Sequence, residues 1–183
     1  MLIVKNSLDN IQDLIISYEK RNGFQIPEQL RKFLIRYNGG QTPKTSIKER
    51  NISTDIRCLY GFSTDKDDYE NVSCIEKNGI RLLPFGKDSF GNEFLIEIDN
   101  SGTIYFMNHE KNEEIVVVSD SFYGFIRATT SEKINEASKR TPEERERILV
   151  EKGKGNNITD GLRKMWQDEY NKFANMIQEE VIL

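Results

Sequence analysis

Two stretches near the start of the chain place apolar residues at helical spacing. In the first, Leu8, Ile11, Leu14, Ile15 and Tyr18 share one face, which begins near Ser7 and is stopped by Gly23. The second, IPEQLRKFLIRYNGG over residues 26–40, sets Leu30, Phe33, Leu34 and Tyr37 on one face. Both of its ends are punctuated. Pro27 suits a first helical position, where a missing N–H would have no partner anyway. Glu28 adds a negative charge to the positive end of the helix dipole. Asn38, Gly39 and Gly40 tolerate left-handed backbone and end the helix. The short turn between the two stretches predicts an antiparallel helix pair with a shared apolar face.

Residues 41–51 are polar and read as a loop. From about Asp55 the period changes. Residues 56–60 read as a strand closed by Gly61, and residues 72–76 as either a strand or a short helix. The run at 82–85 reads as a strand start, with Pro84 suggesting an edge or a bulge. Residues 93–99 alternate apolar and acidic, Asn100-Ser101-Gly102 predicts a hairpin turn, and residues 103–107 form the next strand. The β-branched run at 115–118 suits a central strand. Ser119, Asp120 and Ser121 can cap a helix that carries Phe122, Phe125 and Ile126. Helices, then consecutive strands, then a helix predict an α+β fold. Its sheet is mainly antiparallel and twisted, flanked by the N-terminal helices and the closing helix.

The tail differs in character. Thr141-Pro142-Glu143-Glu144 is a capping box with Pro at the first helical position. The helix it opens carries Ile148, Leu149 and Val150 and ends near Gly153. A flexible break at 154–157 precedes a last helix from about Thr159. Leu162, Met165, Trp166, Phe173, Met176 and Ile177 fall on one face there, a stripe expected to be buried on its own domain or on a second chain. The expected division is one domain over 1–130 and a C-terminal helical extension over 131–183 packing on it.

A length of 183 residues gives one domain room for an appendage. A globule of this size buries roughly 70% of the surface its unfolded chain exposes, so a core needs neither metal nor disulfide. Net charge is −4, with 37% hydrophobic and 31% charged residues. That balance argues against nucleic acid as a direct ligand and leaves an acidic surface for a basic partner. Cys58 and Cys74 have no metal or redox spacing and read as buried free thiols. The first residues turn polar too soon for a signal peptide, and no apolar run approaches the roughly 18 residues of a membrane span. A cytoplasmic location is expected, with no membrane contact.

Candidate chemistry is sparse. His109, the only histidine, precedes a charged turn and reads as exposed, with no nucleophile beside it in sequence. The acidic run Asp65, Asp67, Asp68 and Glu70 lacks the spacing and the glycine of a calcium loop. It reads as a solvated loop or as a contact patch for a basic partner. Residues 86–92, GKDSFGN, look superficially like a phosphate loop but lack the Gly-Lys-Ser/Thr ending, and a strand follows; a hairpin connection explains them. Glu93, Glu97 and Asp99 alternate along a strand as solvent-facing positions on one side of a sheet. No catalytic group, metal site or cofactor is expected.

Three segments together resemble the SUKH superfamily of Smi/Knr-like domains. IPEQLRKFLIRYNGG is similar to the family's helix signature almost throughout. LLPFGKDSFGNEFLIEIDNSGTIYFMNHE resembles its apolar-Pro strand, D-x-x-G-N loop and following strands, ending at His. IVVVSDSFYGFI resembles its closing helix. The matches keep the family's order over about Leu8 to Ala128. The tail and residues 42–53 have no counterpart in the pattern. The resemblance implies an α+β fold without known catalysis. It also implies that many bacterial members are immunity proteins that bind and silence a toxin, often a nuclease. An acidic inhibitor suits a basic, phosphate-holding enzyme surface. The expected mechanism is occlusion of the toxin's active site. The candidate contacts, chosen by charge and loop placement, are Asp65, Asp67, Asp68, Glu70, Asp88 and Glu93. The alternative is an intracellular scaffold or regulatory module of the Smi/Knr type with no toxin partner. Neither the contact face nor the oligomeric state follows from the sequence.

Overall fold

A computed structural model describes residues 1–6, 8–63, 68–99, 102–111 and 114–183. They divide into two units, Met1–Glu132 with Glu179–Leu183, and Lys133–Gln178.

The first unit opens with a strand β1 (Leu2–Lys5), then α1 (Ile11–Asn22) and α2 (Glu28–Tyr37). Short strands follow: β2 (Gly40–Gln41), β3 (Thr45–Glu49), β4 (Ile52–Asp55) and β5 (Cys58–Leu59). After a 3-10 turn at Tyr69–Asn71 come β6 (Ile75–Lys77), β7 (Ile80–Lys87), β8 (Glu93–Glu97), β9 (Ile104–Asn108) and β10 (Glu114–Ser119). Helix α3 (Phe122–Ala128) and β11 (Thr129–Ser131) complete the run, and β12 (Glu179–Glu180) returns at the C-terminus. The main sheet runs β10-β9-β8-β7-β5-β2-β1-β12, with β6 also paired to β7, and every ladder is antiparallel. A second sheet runs β11-β3-β4. The chain is α+β.

Most of the predicted helix faces are core, but α1 starts at Ile11 rather than near Ser7, so Leu8 lies outside it and is exposed, and Leu14 is half-buried. Leu30, Phe33, Leu34 and Tyr37 of α2 are buried, as are Ile11, Ile15 and Tyr18 of α1. The inner face of the sheet meets them with Leu83, Phe85, Phe94, Ile96 and Phe106. Phe122 of α3 joins the two layers, with ring centroids 5.4 Å from Phe33 and 5.3 Å from Phe85. Phe125 sits 5.2 Å from both Phe85 and Phe94. Such edge-to-face and tilted pairs add about 0.5–1.5 kcal/mol each beyond the area they bury. Ser121 starts α3 as expected, its Oγ accepting the Gly124 N–H at 3.0 Å.

Several expectations are corrected. Pro27 is the N-cap of α2 rather than its first helical residue. Residues 41–51 are not a loop. They hold β2, β3 and a turn at Arg50 (φ 51°), from which the chain returns as β4. Thr45 and Ile47 point inward and Ser46 and Lys48 outward. The alternation was hidden because threonine counts as polar. The N-terminal strand β1 and its partner β12 were not anticipated, since each pairs across nearly the whole chain. Tyr37 fastens that return, its hydroxyl accepting the Ile182 N–H at 2.9 Å and donating to the Glu180 carbonyl at 3.2 Å. Strand β10 lies at the end of the sheet, not in its centre. Pro84 lies beside a bulge, as one alternative held, but β7 is an interior strand. Pro84 falls between the β6 register at 80–82 and the β5 register at 86–87, where a missing N–H is tolerated. Two residues of the expected turn, Asn100 and Ser101, lie outside the described residues.

The segment Asn38-Gly39-Gly40 does more than end α2. Asn38 is left-handed (φ 49°), and its side chain is a surrogate strand. Its Oδ1 accepts the Phe62 N–H at 2.7 Å and its Nδ2 donates to the Phe62 carbonyl at 2.9 Å. A Cβ on Gly39 would lie 2.3 Å from the Tyr60 carbonyl oxygen, and one on Gly40 2.3 Å from that of Val4. No side chain fits where these backbones meet.

In the second unit, α4 (Pro142–Glu151) opens on the expected capping box. Thr141 Oγ1 accepts the Glu144 N–H at 3.2 Å, and Glu144 Oε2 accepts that of Thr141 at 2.9 Å. Helix α5 (Asp160–Phe173) is capped by Thr159. Its expected apolar stripe is only partly buried. Trp166 is inside, under the Arg145 guanidinium, which also pairs with Glu169 at 2.8 Å. Met165 is exposed, and the helix stops before Met176 and Ile177, the latter exposed. Val150 of α4 is exposed too.

Gly39→Ala combines left-handed strain with a backbone clash and should cost at least about 3 kcal/mol of stability in urea unfolding. Gly79→Ala, at φ +74° with open space around it, isolates the strain and should cost about 1 kcal/mol.

Candidate functional site

The four described acidic candidates, Asp68, Glu70, Asp88 and Glu93, do not stand together as one exposed face. Asp65 and Asp67 lie outside the described residues. Asp68 is half-buried. Its backbone bridges Gly61, and its Oδ1 accepts the Glu70 N–H at 2.9 Å, capping the turn at 69–71. Glu70 itself is exposed. Glu93 is half-buried and accepts the Tyr60 hydroxyl at 3.0 Å. Tyr60 ties the two groups together, since its ring centroid is 6.3 Å from that of Tyr69, which stands between Asp68 and Glu70 in sequence.

Asp88 is a correction. It is 0% exposed and cannot meet a partner directly. Its Oδ1 accepts the N–H groups of Phe90 and Asn92, both at 2.9 Å. Its Oδ2 accepts Thr54 Oγ1 at 2.9 Å and Asn92 Nδ2 at 2.8 Å. A carboxylate has about four acceptor sites, and these are all used. The spacing Asp88-x-x-Gly91-Asn92 is therefore a self-closing loop. Gly91 supplies the φ of +89° that turns it. The remaining Asn92 oxygen accepts the His109 backbone N–H at 3.2 Å and faces His109 Nδ1 at 2.8 Å. Because Asn92 Nδ2 serves Asp88, its oxygen is the acceptor, so His109 Nδ1 donates. Ser89 adds another tie, donating its N–H to Asp55 Oδ1 at 3.1 Å and its hydroxyl to the same carboxylate. The β7–β8 loop, the end of β9 and strand β4 form one fastened corner, with Phe90 exposed at its tip.

The hairpin reading of 86–92 and the exposed His109 agree with this geometry. Glu97 does not face solvent. It is 9% exposed, in register with Leu82 beside an outer apolar cluster of Leu82, Leu95 and Met107. Burial, and secondarily Glu97, raises the Tyr105 hydroxyl above its ordinary range. Asp99 is exposed and paired with Arg81. Cys58 is buried and Cys74 half-buried, and neither is in a disulfide. Burial pushes the Cys74 thiol up to about 11, which keeps it unreactive at neutral pH. The Tyr69 hydroxyl is fully buried, has no hydrogen-bond partner among the described residues, and is raised well above its usual value by burial.

The pattern of the SMI1 / KNR4 family (SUKH-1) matches residues 12–128. The chain belongs to this family. The matched span runs from α1 through α3, so the SUKH domain holds both the Asn38-Gly39-Gly40 junction and the Asp88 corner. The second unit and β12 lie outside it. No curated protein and no solved structure matches the chain. Among the described residues no group of three or more His, Cys, Asp or Glu side chains is placed to hold a metal ion. No described helix is long and apolar enough to cross a membrane.

The sequence pointed to Asp88 by its charge and overlooked Asn92, Thr54 and Phe90. The signal that could have found them was the loop spacing itself, an Asp two and four residues ahead of the N–H groups it accepts. Asp88→Ala strands four buried or half-buried donors and should cost about 3 kcal/mol or more in chemical unfolding. Glu70→Ala, at an exposed site, should stay within about 0.5 kcal/mol of the parent.

Proposed function

We propose that this chain is an immunity protein that binds a cognate protein toxin and occludes its active surface. The observation that supports it best is family membership over residues 12–128, since the family includes immunity proteins. The net charge of −4 fits a basic partner such as a nuclease domain, whose surface must hold phosphates. Asp65, Asp67, Asp68, Glu70 and Glu93 would steer association. Asp88 acts only by shaping the loop. The protein would work in the cytoplasm, as a binding partner rather than an enzyme.

Co-expression provides the test. The product of the adjacent gene should arrest growth alone, and this chain should restore growth and bind it one to one. The on-rate should fall about tenfold between low and high salt, with little change in off-rate. An adjacent product that is harmless, or that still kills when this chain is present, contradicts the proposal and favours a Smi/Knr-type scaffold.

A further inference from the structure

Phe90 is 73% exposed, more than any other Phe, Tyr or Trp among the described residues. A lone exposed apolar side chain is ordinary on a protein surface. What sets Phe90 apart is the backbone beneath it. Its own N–H is held by Asp88 Oδ1, the Ser89 N–H by Asp55, and the Asn92 N–H by Asp88. The Asp88 N–H closes the loop onto the Asn92 carbonyl at 3.0 Å. On the Phe90 side the loop is thus pinned at consecutive backbone amides, and Asn92 couples it to His109 on the neighbouring turn. A slack loop could fold its aromatic ring back onto the surface. This one holds the ring outward.

Two carboxylates, Asp88 inside the loop and the half-buried Asp55 beside it, lie beneath the ring. The partners of Asp88 are a hydroxyl, two backbone amides and a side-chain amide, all neutral. Those of Asp55 are the amide and hydroxyl of Ser89. Neither carboxylate meets a cation among the described residues. Lys87, next in sequence, holds its Nζ 5.9 Å from the Tyr60 ring centroid. In the adjoining turn Glu110 and Lys111 are exposed, as is Glu114 at the start of β10.

We infer that Phe90 is the apolar anchor of a protein interface, inserted into a pocket of a partner domain whose rim carries Lys and Arg. Aromatic side chains on pre-organised loops concentrate binding energy, because little ordering remains to be done on association. Asp55, Glu110 and Glu114 leave the surface around the loop net acidic despite Lys87 and Lys111, which favours a basic rim over a second copy of this chain. The assignment deepens the immunity proposal and rests on it for the partner's identity, not for the site.

The test uses the full chain in its native cells, with photoreactive benzoylphenylalanine in place of Phe90 or, as control, of the exposed Ile16 of α1. Illumination should give a discrete adduct from position 90 and none from position 16. The adduct, identified by mass spectrometry, should be a basic protein. That protein, once purified, should bind Phe90→Ala about 100-fold more weakly than the parent and bind Phe90→Trp within a few-fold. Thermal unfolding of both variants should match the parent, since the ring is outside the core. No adduct, adducts equally from both positions, an acidic partner, or unchanged affinity of Phe90→Ala would overturn the inference. Equal rescue of growth by the parent and by Phe90→Asp would overturn it while leaving the immunity proposal intact. An adduct to a basic protein that is not toxic, with affinity lost in Phe90→Ala, would uphold the anchor and refute the immunity proposal.

Discussion

The close approach of three backbones at Asn38-Gly39-Gly40 is the constraint on which the SUKH domain depends. Strand β2 is only two residues long, yet it stands between β1 and β5 in the sheet order. It can do so because Gly39 and Gly40 put no Cβ where the Tyr60 and Val4 carbonyls lie. Gly61 obeys the same rule from the other side, since a Cβ there would meet the Asn38 carbonyl oxygen at 2.0 Å. Asn38 then binds Phe62 through both side-chain atoms, completing a ladder too short to complete itself. On one side of this junction hang β5, β7, β8, β9 and β10. On the other hang β1 and the C-terminal β12. Helix α2 leaves the junction with its apolar face already aimed at the sheet.

Local patterns made much of this legible. The buried faces of α1 and α2, the Ser121 cap, the capping box at Thr141 and the run of strands from β7 to β10 all follow from spacing within a dozen residues. What escaped was non-local or disguised. Strands β1 and β12 have no local partner and too few residues to show a period. The β3–β4 hairpin turns one threonine and one isoleucine inward and looked polar throughout. Asn38-Gly39-Gly40 was legible as a helix stop, but its role at the meeting of β1, β2 and β5 requires knowing which strands arrive there. The α5 stripe failed for a different reason. Apolar spacing continued past Phe173, while the helix did not.

The candidate site shows the same division. Charge and loop position singled out Asp88, and burial inverted its meaning: it is the internal fastening of a corner, not a contact. The residue displayed by that corner is Phe90. A carboxylate that satisfies amides from its own loop, an asparagine that couples the loop to the next turn, and a glycine that permits the bend together make a rigid mount. On the proposed reading, steering charge and anchoring surface belong to different residues, as in interfaces whose on-rates and off-rates are set separately.

Amide hydrogen exchange of the full chain, with and without the protein encoded beside it, tests this account most directly. Exchange should slow at residues 86–93 and 108–111, with the inner core strands and α2 unchanged. Protection confined to other surfaces, or none at a concentration that saturates binding, would contradict it.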